Sequence, residues 1–142
     1  KKMGPYKIGI FGLGIELDGL VPAKLFRDIE YLDPIEKGNE IAQLLKEKGC
    51  NVIICLSHLG YEYKGNKVSD KVLAKSSSNI DLILGGHTHT FMSSPQGILN
   101  QKGKEIFINQ TGWAGINLGR IDYETNSSKT ACMLGYDYSK IS

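Results

Sequence analysis

The sequence is short of cysteine, of charge of one sign and of long apolar runs, and each shortage excludes a class of protein. Cys50, Cys55 and Cys132 are its only cysteines, an odd number without the paired spacing on which small disulfide-stapled domains depend. Cys50 and Cys55 flank one predicted strand, too far apart along it to bridge each other, and read as small buried hydrophobes. This argues against a disulfide-built secreted domain and leaves an extracytoplasmic location open. The 17 Lys and Arg against 15 Asp and Glu leave a net charge of only +2, with no basic cluster and no interleaved basic and aromatic face, so nucleic acid is not an expected partner. No apolar run approaches the roughly 20 residues of a membrane span. No signal peptide precedes Lys1, which leaves open a removed leader or a start within a longer protein.

What is present suits one globular domain. The 142 residues, 41% hydrophobic and 23% charged, are enough for a real core, and no second domain, internal repeat, low-complexity segment or linker is evident.

The chain is organised around Asp81-Leu82-Ile83-Leu84-Gly85-Gly86-His87-Thr88-His89-Thr90. Its apolar run, bounded by a glycine pair, reads as a covered, parallel strand that delivers imidazoles to the carboxyl edge of a sheet, where open α/β folds place their ligands. If the stretch stays extended, His87 and His89 point the same way with Cα atoms roughly 6–7 Å apart. Asn51-Val52-Ile53-Ile54-Cys55-Leu56 is a second such strand, ending at Ser57-His58-Leu59-Gly60, so His58 mirrors His87. Between them, Val68 to Ser78 can form a short helix with Val72 and Leu73 inward, which makes a right-handed crossover between neighbouring parallel strands. That crossover is the step that brings His58 to the other two histidines.

The remaining elements follow from local signals. Tyr6 to Phe11 alternates as a strand, and Leu20 to Leu32 is mixed, reading as a loop or short strand. Asp33-Pro34-Ile35-Glu36 starts a helix, with Asp33 as its cap and Gly49 as its left-handed stop. Ile98-Leu99, the turn Asn100 to Gly103, and Glu105 to Asn109 read as a hairpin. Gly115 to Glu124 reads as a further strand, Thr125 to Ser128 as a turn and Thr130 to Tyr138 as a last strand, so the second half is mostly antiparallel.

Ser57-His58-Leu59-Gly60 followed by Gly85-Gly86-His87-Thr88-His89 resembles the calcineurin-like metallophosphoesterase family, and within it the 5′-nucleotidase branch. The similarity runs in order from about Ile8 to Tyr123, through Gly9-Ile10-Phe11-Gly12-Leu13, the strand entry from Gly49 to Leu59, and Gln110-Thr111-Gly112 to Leu118-Gly119. The resemblance implies an α/β fold, half of an α/β/β/α sandwich with a mixed sheet. It also implies a two-metal phosphohydrolase in which a metal-bound hydroxide attacks a nucleotide or related phosphate ester. By that resemblance His58 and His87 would bind one metal and His89 the other. The two divalent ions would be Zn, Mn, Fe or Ni.

This sequence departs from the family pattern in its acidic ligands. The Asp-x-His pair, the bridging Asp after a glycine and the Gly-Asn-His-Asp/Glu segment have no counterpart here. Asp18, after Gly12-Leu13-Gly14, comes closest but lacks the neighbouring motif. Residues 1–142 therefore read as the carboxyl-terminal part of one metallophosphoesterase domain whose amino-terminal half is missing. Alone, the chain is expected to be inactive and to hold at most one metal loosely. No catalytic residue is assigned. The alternatives are a non-catalytic scaffold of the same fold, or a related thiosulfate-ester or capsule-polymer enzyme. Trp113 is expected either in the core or lining a substrate cleft. A periplasmic or surface location is what the resemblance implies.

Overall fold

The two apolar runs ahead of the histidines lie side by side at the centre of a mixed sheet. In the computed structural model the described residues are 1–65 and 67–122, with the paired backbone of Cys132–Met133. The elements are β1 (Lys2–Met3), β2 (Tyr6–Leu13), α1 (Ala23–Phe26), α2 (Pro34–Glu47), β3 (Val52–Ser57), α3 (Asp70–Ser76), β4 (Leu82–Leu84), β5 (Gln96–Leu99), β6 (Glu105–Asn109), β7 (Ile121–Asp122) and β8 (Cys132–Met133). Six strands form one sheet in the order β1-β2-β3-β4-β6-β5. Strands β2, β3, β4 and β6 run parallel, while β1 and β5 close the two edges antiparallel.

Helix α2 forms as its cap residues dictate. The Asp33 Oδ1 accepts the Ile35 and Glu36 N–H groups at 2.8 and 2.9 Å, satisfying donors that the first turn leaves without helical partners. Gly49 ends the helix at φ +79°. Helix α3 is capped by Ser69 and buries Leu73 and Ala74, whereas the expected Val72 is only half-buried. Both helices lie on one face of the sheet, over Phe11, Ile53, Cys55, Ile83, Ile106 and Ile108. Burial of this kind stabilises at about 25 cal/mol per Å² of apolar surface and carries the fold.

The register fixes what the other face presents. Ile10 pairs with Ile54, Gly12 with Leu56, Ile54 with Leu82 and Leu56 with Leu84. Alternation therefore turns Ile10, Ile54, Leu56 and Leu84 away from the helices. Ile10 and Leu56 are 51% and 49% exposed, so part of this second face is open.

Several expectations are corrected. Leu20 to Leu32 contains the short helix α1. Gly115 to Glu124 is not one strand: among the described residues only Ile121 and Asp122 pair, and the expected first residue, Gly115, is left-handed at φ +69°, as is Ala114 before it at φ +56°. The hairpin β5–β6 and the pair β7–β8 are antiparallel as expected, but β6 itself joins β4 in parallel. Cys50 and Cys55 are buried free thiols, and Cys55 lies within β3 rather than flanking it. The turn Thr125 to Ser128 and the final strand outside Cys132–Met133 lie outside the described residues. Among the described residues no helix is long and apolar enough to cross a membrane.

Candidate metal centre

Strand β3 ends at Ser57 and hands the chain to His58, whose backbone N–H still donates to Leu13 O at 2.8 Å. Strand β4 ends at Leu84, and two glycines lead to His87. Because β3 and β4 are parallel neighbours, both histidines emerge at the same edge. Their rings meet edge to face with centroids 5.3 Å apart.

The glycine pair permits this approach. A Cβ on Gly86 would lie 3.2 Å from His58 Nδ1, and one on Gly85 would run into the Asp70 carboxylate and come within 2.8 Å of Gln110 Nε2. Side chains at these positions would push the turn away from both groups.

The segment after the glycines is not extended, which corrects the expected arrangement of His87 and His89. Both are left-handed, at φ +71° and +54°, a conformation uncommon outside glycine and held only where surroundings over-determine it. The surroundings here are hydrogen bonds: Thr88 N–H to Gly86 O at 2.9 Å, and Thr90 N–H to Gln110 Oε1 at 3.1 Å. The fold thus brings His58 and His87 together, whereas the His89 ring stacks on Trp113 with centroids 6.0 Å apart and planes 14° apart. Trp113 is 56% exposed and does not belong to the core.

Electrostatics favour neutral imidazole at His87. Partial burial holds its pKa below the ordinary histidine value, and the neighbouring positive charges of His58, Lys67 and His89 lower it further. A neutral imidazole has the free nitrogen lone pair that a divalent cation needs. His58 and His87 together supply two ring-nitrogen donors, the ligand type that such ions take. Among the described residues no group of three or more His, Cys, Asp or Glu side chains is gathered for metal binding.

Sequence reasoning missed the polar residues packed beneath the histidines. Asp70 is fully buried, accepting from Ser57 Oγ at 2.5 Å and from Gln110 Nε2 at 3.0 Å. Burial pushes its carboxyl pKa up, against those two hydrogen bonds and the charge of His58. Asp70 opens α3, and an acidic residue in a first helical turn gives no signal beyond the helix dipole. Ser57 and Gln110 do lie in the stretches that carry the family resemblance.

His58 and His87 thus stand at the carboxyl edge of adjacent parallel strands, the edge at which open α/β sheets place their ligands. Residues 7–91 match the model of the calcineurin-like phosphoesterase family, and the chain belongs to that family. It is 32% identical over 117 residues to the trifunctional nucleotide phosphoesterase protein YfkN of Bacillus subtilis, an alignment covering 82% of this chain and 7% of that protein. Among solved structures it is similar to a 5′-nucleotidase precursor from Thermus thermophilus, with a TM-score of 0.68 and 27% identity, over 94% of this chain and 27% of that one. The NAD nucleotidase of Haemophilus influenzae shares the fold with a TM-score of 0.73 at 21% identity, over 96% of this chain and 26% of that one. The chain thus spans about a quarter of either solved structure.

Proposed function

We propose that this chain is the carboxyl-terminal part of a metal-dependent phosphoesterase domain acting on nucleotides or related phosphate esters. The observation that carries the reading is the approach of His58 and His87 at 5.3 Å across the ends of β3 and β4. His58 and His87 would hold one divalent ion, and His89 would serve a second whose remaining ligands lie outside this chain. Such ions, when bound, polarise phosphoryl oxygens and lower the pKa of a water. The residues of this chain contribute by presenting neutral imidazole and by holding the ligand-bearing turn rigid. Support for a nucleotide or related ester comes from the names of the relatives, one a nucleotide phosphoesterase and one a 5′-nucleotidase precursor.

The second face of the sheet supports the half-domain reading. Ile10 and Leu56 stand half-exposed there, and the Asn109 side-chain oxygen is buried without a hydrogen-bond partner. In the complete domain the amino-terminal half would cover the apolar strip and bring the carboxylates that offset repulsion between two cations. A periplasmic or surface location goes with this reading.

Phosphate release from nucleoside 5′-monophosphates, with and without added Mn or Zn, tests the proposal. The complete polypeptide is expected to turn over substrate, to lose activity to a chelator and to fall to background as His58→Ala or His87→Ala. Residues 1–142 alone are expected to release none. Turnover by that purified segment would sink the half-domain reading, and full activity in both histidine variants would sink the site.

A further inference from the structure

The polar cluster under the histidines is larger than helix capping requires. Ser69 already caps α3, accepting the Val72 N–H at 3.4 Å, so the carboxylate of Asp70 is free to face inward. Asp70 and Gln110 are 0% and 2% exposed. Burying a carboxylate is costly unless its oxygens are paired, and an apolar side chain would fill the same space at lower cost. Both oxygens are paired, one to each side of the candidate site. Oδ1 takes the hydroxyl of Ser57, the residue before His58, and Oδ2 takes the Gln110 carboxamide. Gln110 Nε2 also donates to the Gly86 carbonyl at 2.9 Å, and Gln110 Oε1 accepts from Thr88 Oγ1 at 3.2 Å and Thr90 N–H at 3.1 Å. One residue of this pair grips the end of β3, and the other grips both flanks of the left-handed His87 and His89.

We propose that Asp70 and Gln110 are positioning residues: through Ser57 and the turn from Gly86 to Thr90 they fix His58 against His87. Neither needs to touch an ion or a substrate. The inference rests on the metal-dependent reading for its purpose and on the hydrogen-bond geometry for its content. It places the control of imidazole separation on α3 and the end of β6, elements that carry no histidine. The pair acts as a unit, so loss of either member frees the same turn.

The test compares Asp70→Ala and Gln110→Met with the core variant Ile53→Val in the complete polypeptide. Two readouts are taken: calorimetric titration with Mn alone, and imidazole nitrogen NMR of the ion-free protein. Asp70→Ala and Gln110→Met are expected to weaken Mn binding by roughly 10- to 100-fold. The double variant is expected to be no weaker than the poorer single one. Ile53→Val is expected to lower the melting temperature while leaving the affinity unchanged. In the ion-free protein the His58 and His87 ring signals should move in Gln110→Met and stay in place in Ile53→Val, a difference that general destabilisation does not produce. If Asp70→Ala does not fold, Gln110→Met carries the test alone. A folded Gln110→Met with unmoved ring signals overturns the inference. A wild-type protein that binds no Mn would fault the phosphoesterase reading, while the ring signals would still decide this one.

Discussion

The Asp81 carboxylate accepts the backbone N–H of Ile53 at 2.8 Å, while the Asp81 backbone N–H donates to Ile53 O at 2.9 Å. One residue ahead of β4 therefore closes both sides of a contact with β3 and locks the register that pairs Ile54 with Leu82. The same carboxylate forms an ion pair with Lys104, just before β6. Since His58 and His87 sit at the far ends of these strands, the register sets their relative height. Replacing Asp81 by Ala would leave the Ile53 N–H buried and unpaired, and is expected to cost about 1–3 kcal/mol. Asp81→Asn, which keeps an accepting oxygen, is expected to cost less. Urea midpoints of the two variants check the order; equal midpoints would show that the carboxylate does not hold the register.

Gly85 gives a sharper steric contrast. An added methyl there would strike the Asp70 carboxylate and the buried Gln110 side chain, whereas at Gly14 it would meet nothing within 4 Å. Gly85→Ala is expected to destabilise by about 1–3 kcal/mol, in the range of overpacked cores. Gly14→Ala is expected to be neutral or slightly stabilising, because it restricts the unfolded chain without strain in the folded one. Thermal unfolding of the two variants reads the difference directly.

The parallel centre of the sheet was legible because its signals are local and redundant. Val52 to Ser57 and Leu82 to Leu84 are apolar runs closed by polar or glycine residues, and Asp33 with Pro34 marks a helix start whatever surrounds it. The crossover puts His58 and His87 at one sheet edge, and the glycine pair before His87 lets their rings meet. The left-handed turn at His87 and His89 was not legible, since its cause is Gln110, a side chain from another strand end more than twenty residues away. Asp70 was hidden for the same reason: its partners Ser57 and Gln110 are 13 and 40 residues distant in sequence. Alternation alone did not reveal that Gly115, the first residue of the strand expected to Glu124, is left-handed, as is Ala114 before it.

Trp113 tests the surface of the site. The residue is 56% exposed and its ring is stacked on His89, so Trp113→Ala should change stability by no more than about 0.5 kcal/mol, as for a surface position. A core tryptophan would cost about 3–5 kcal/mol. Because Trp113 is the one tryptophan of the chain, the emission of these 142 residues should shift in His89→Ala, where the stack is lost. A large loss of stability in Trp113→Ala, or unchanged emission in His89→Ala, would contradict the stacked, solvent-facing placement.

His87 makes stability depend on pH in a stated direction. In the folded chain its pKa lies below the ordinary 6.5, first through burial and then through the charges of His58, Lys67 and His89. In the unfolded chain those causes are absent, so unfolding takes up a proton between the two values. Stability therefore rises with pH across that interval, is fully present above the unfolded value, and is lost as pH falls from it toward the folded one. His87→Asn removes the titrating group while keeping a side chain that tolerates the left-handed backbone at φ +71°. Urea unfolding at about pH 7.5 and about pH 5 should show a smaller loss of stability on acidification in His87→Asn than in the parent. An equal loss would mean that the His87 imidazole does not resist protonation in the folded state, and the neutral form offered to a cation would then need another source.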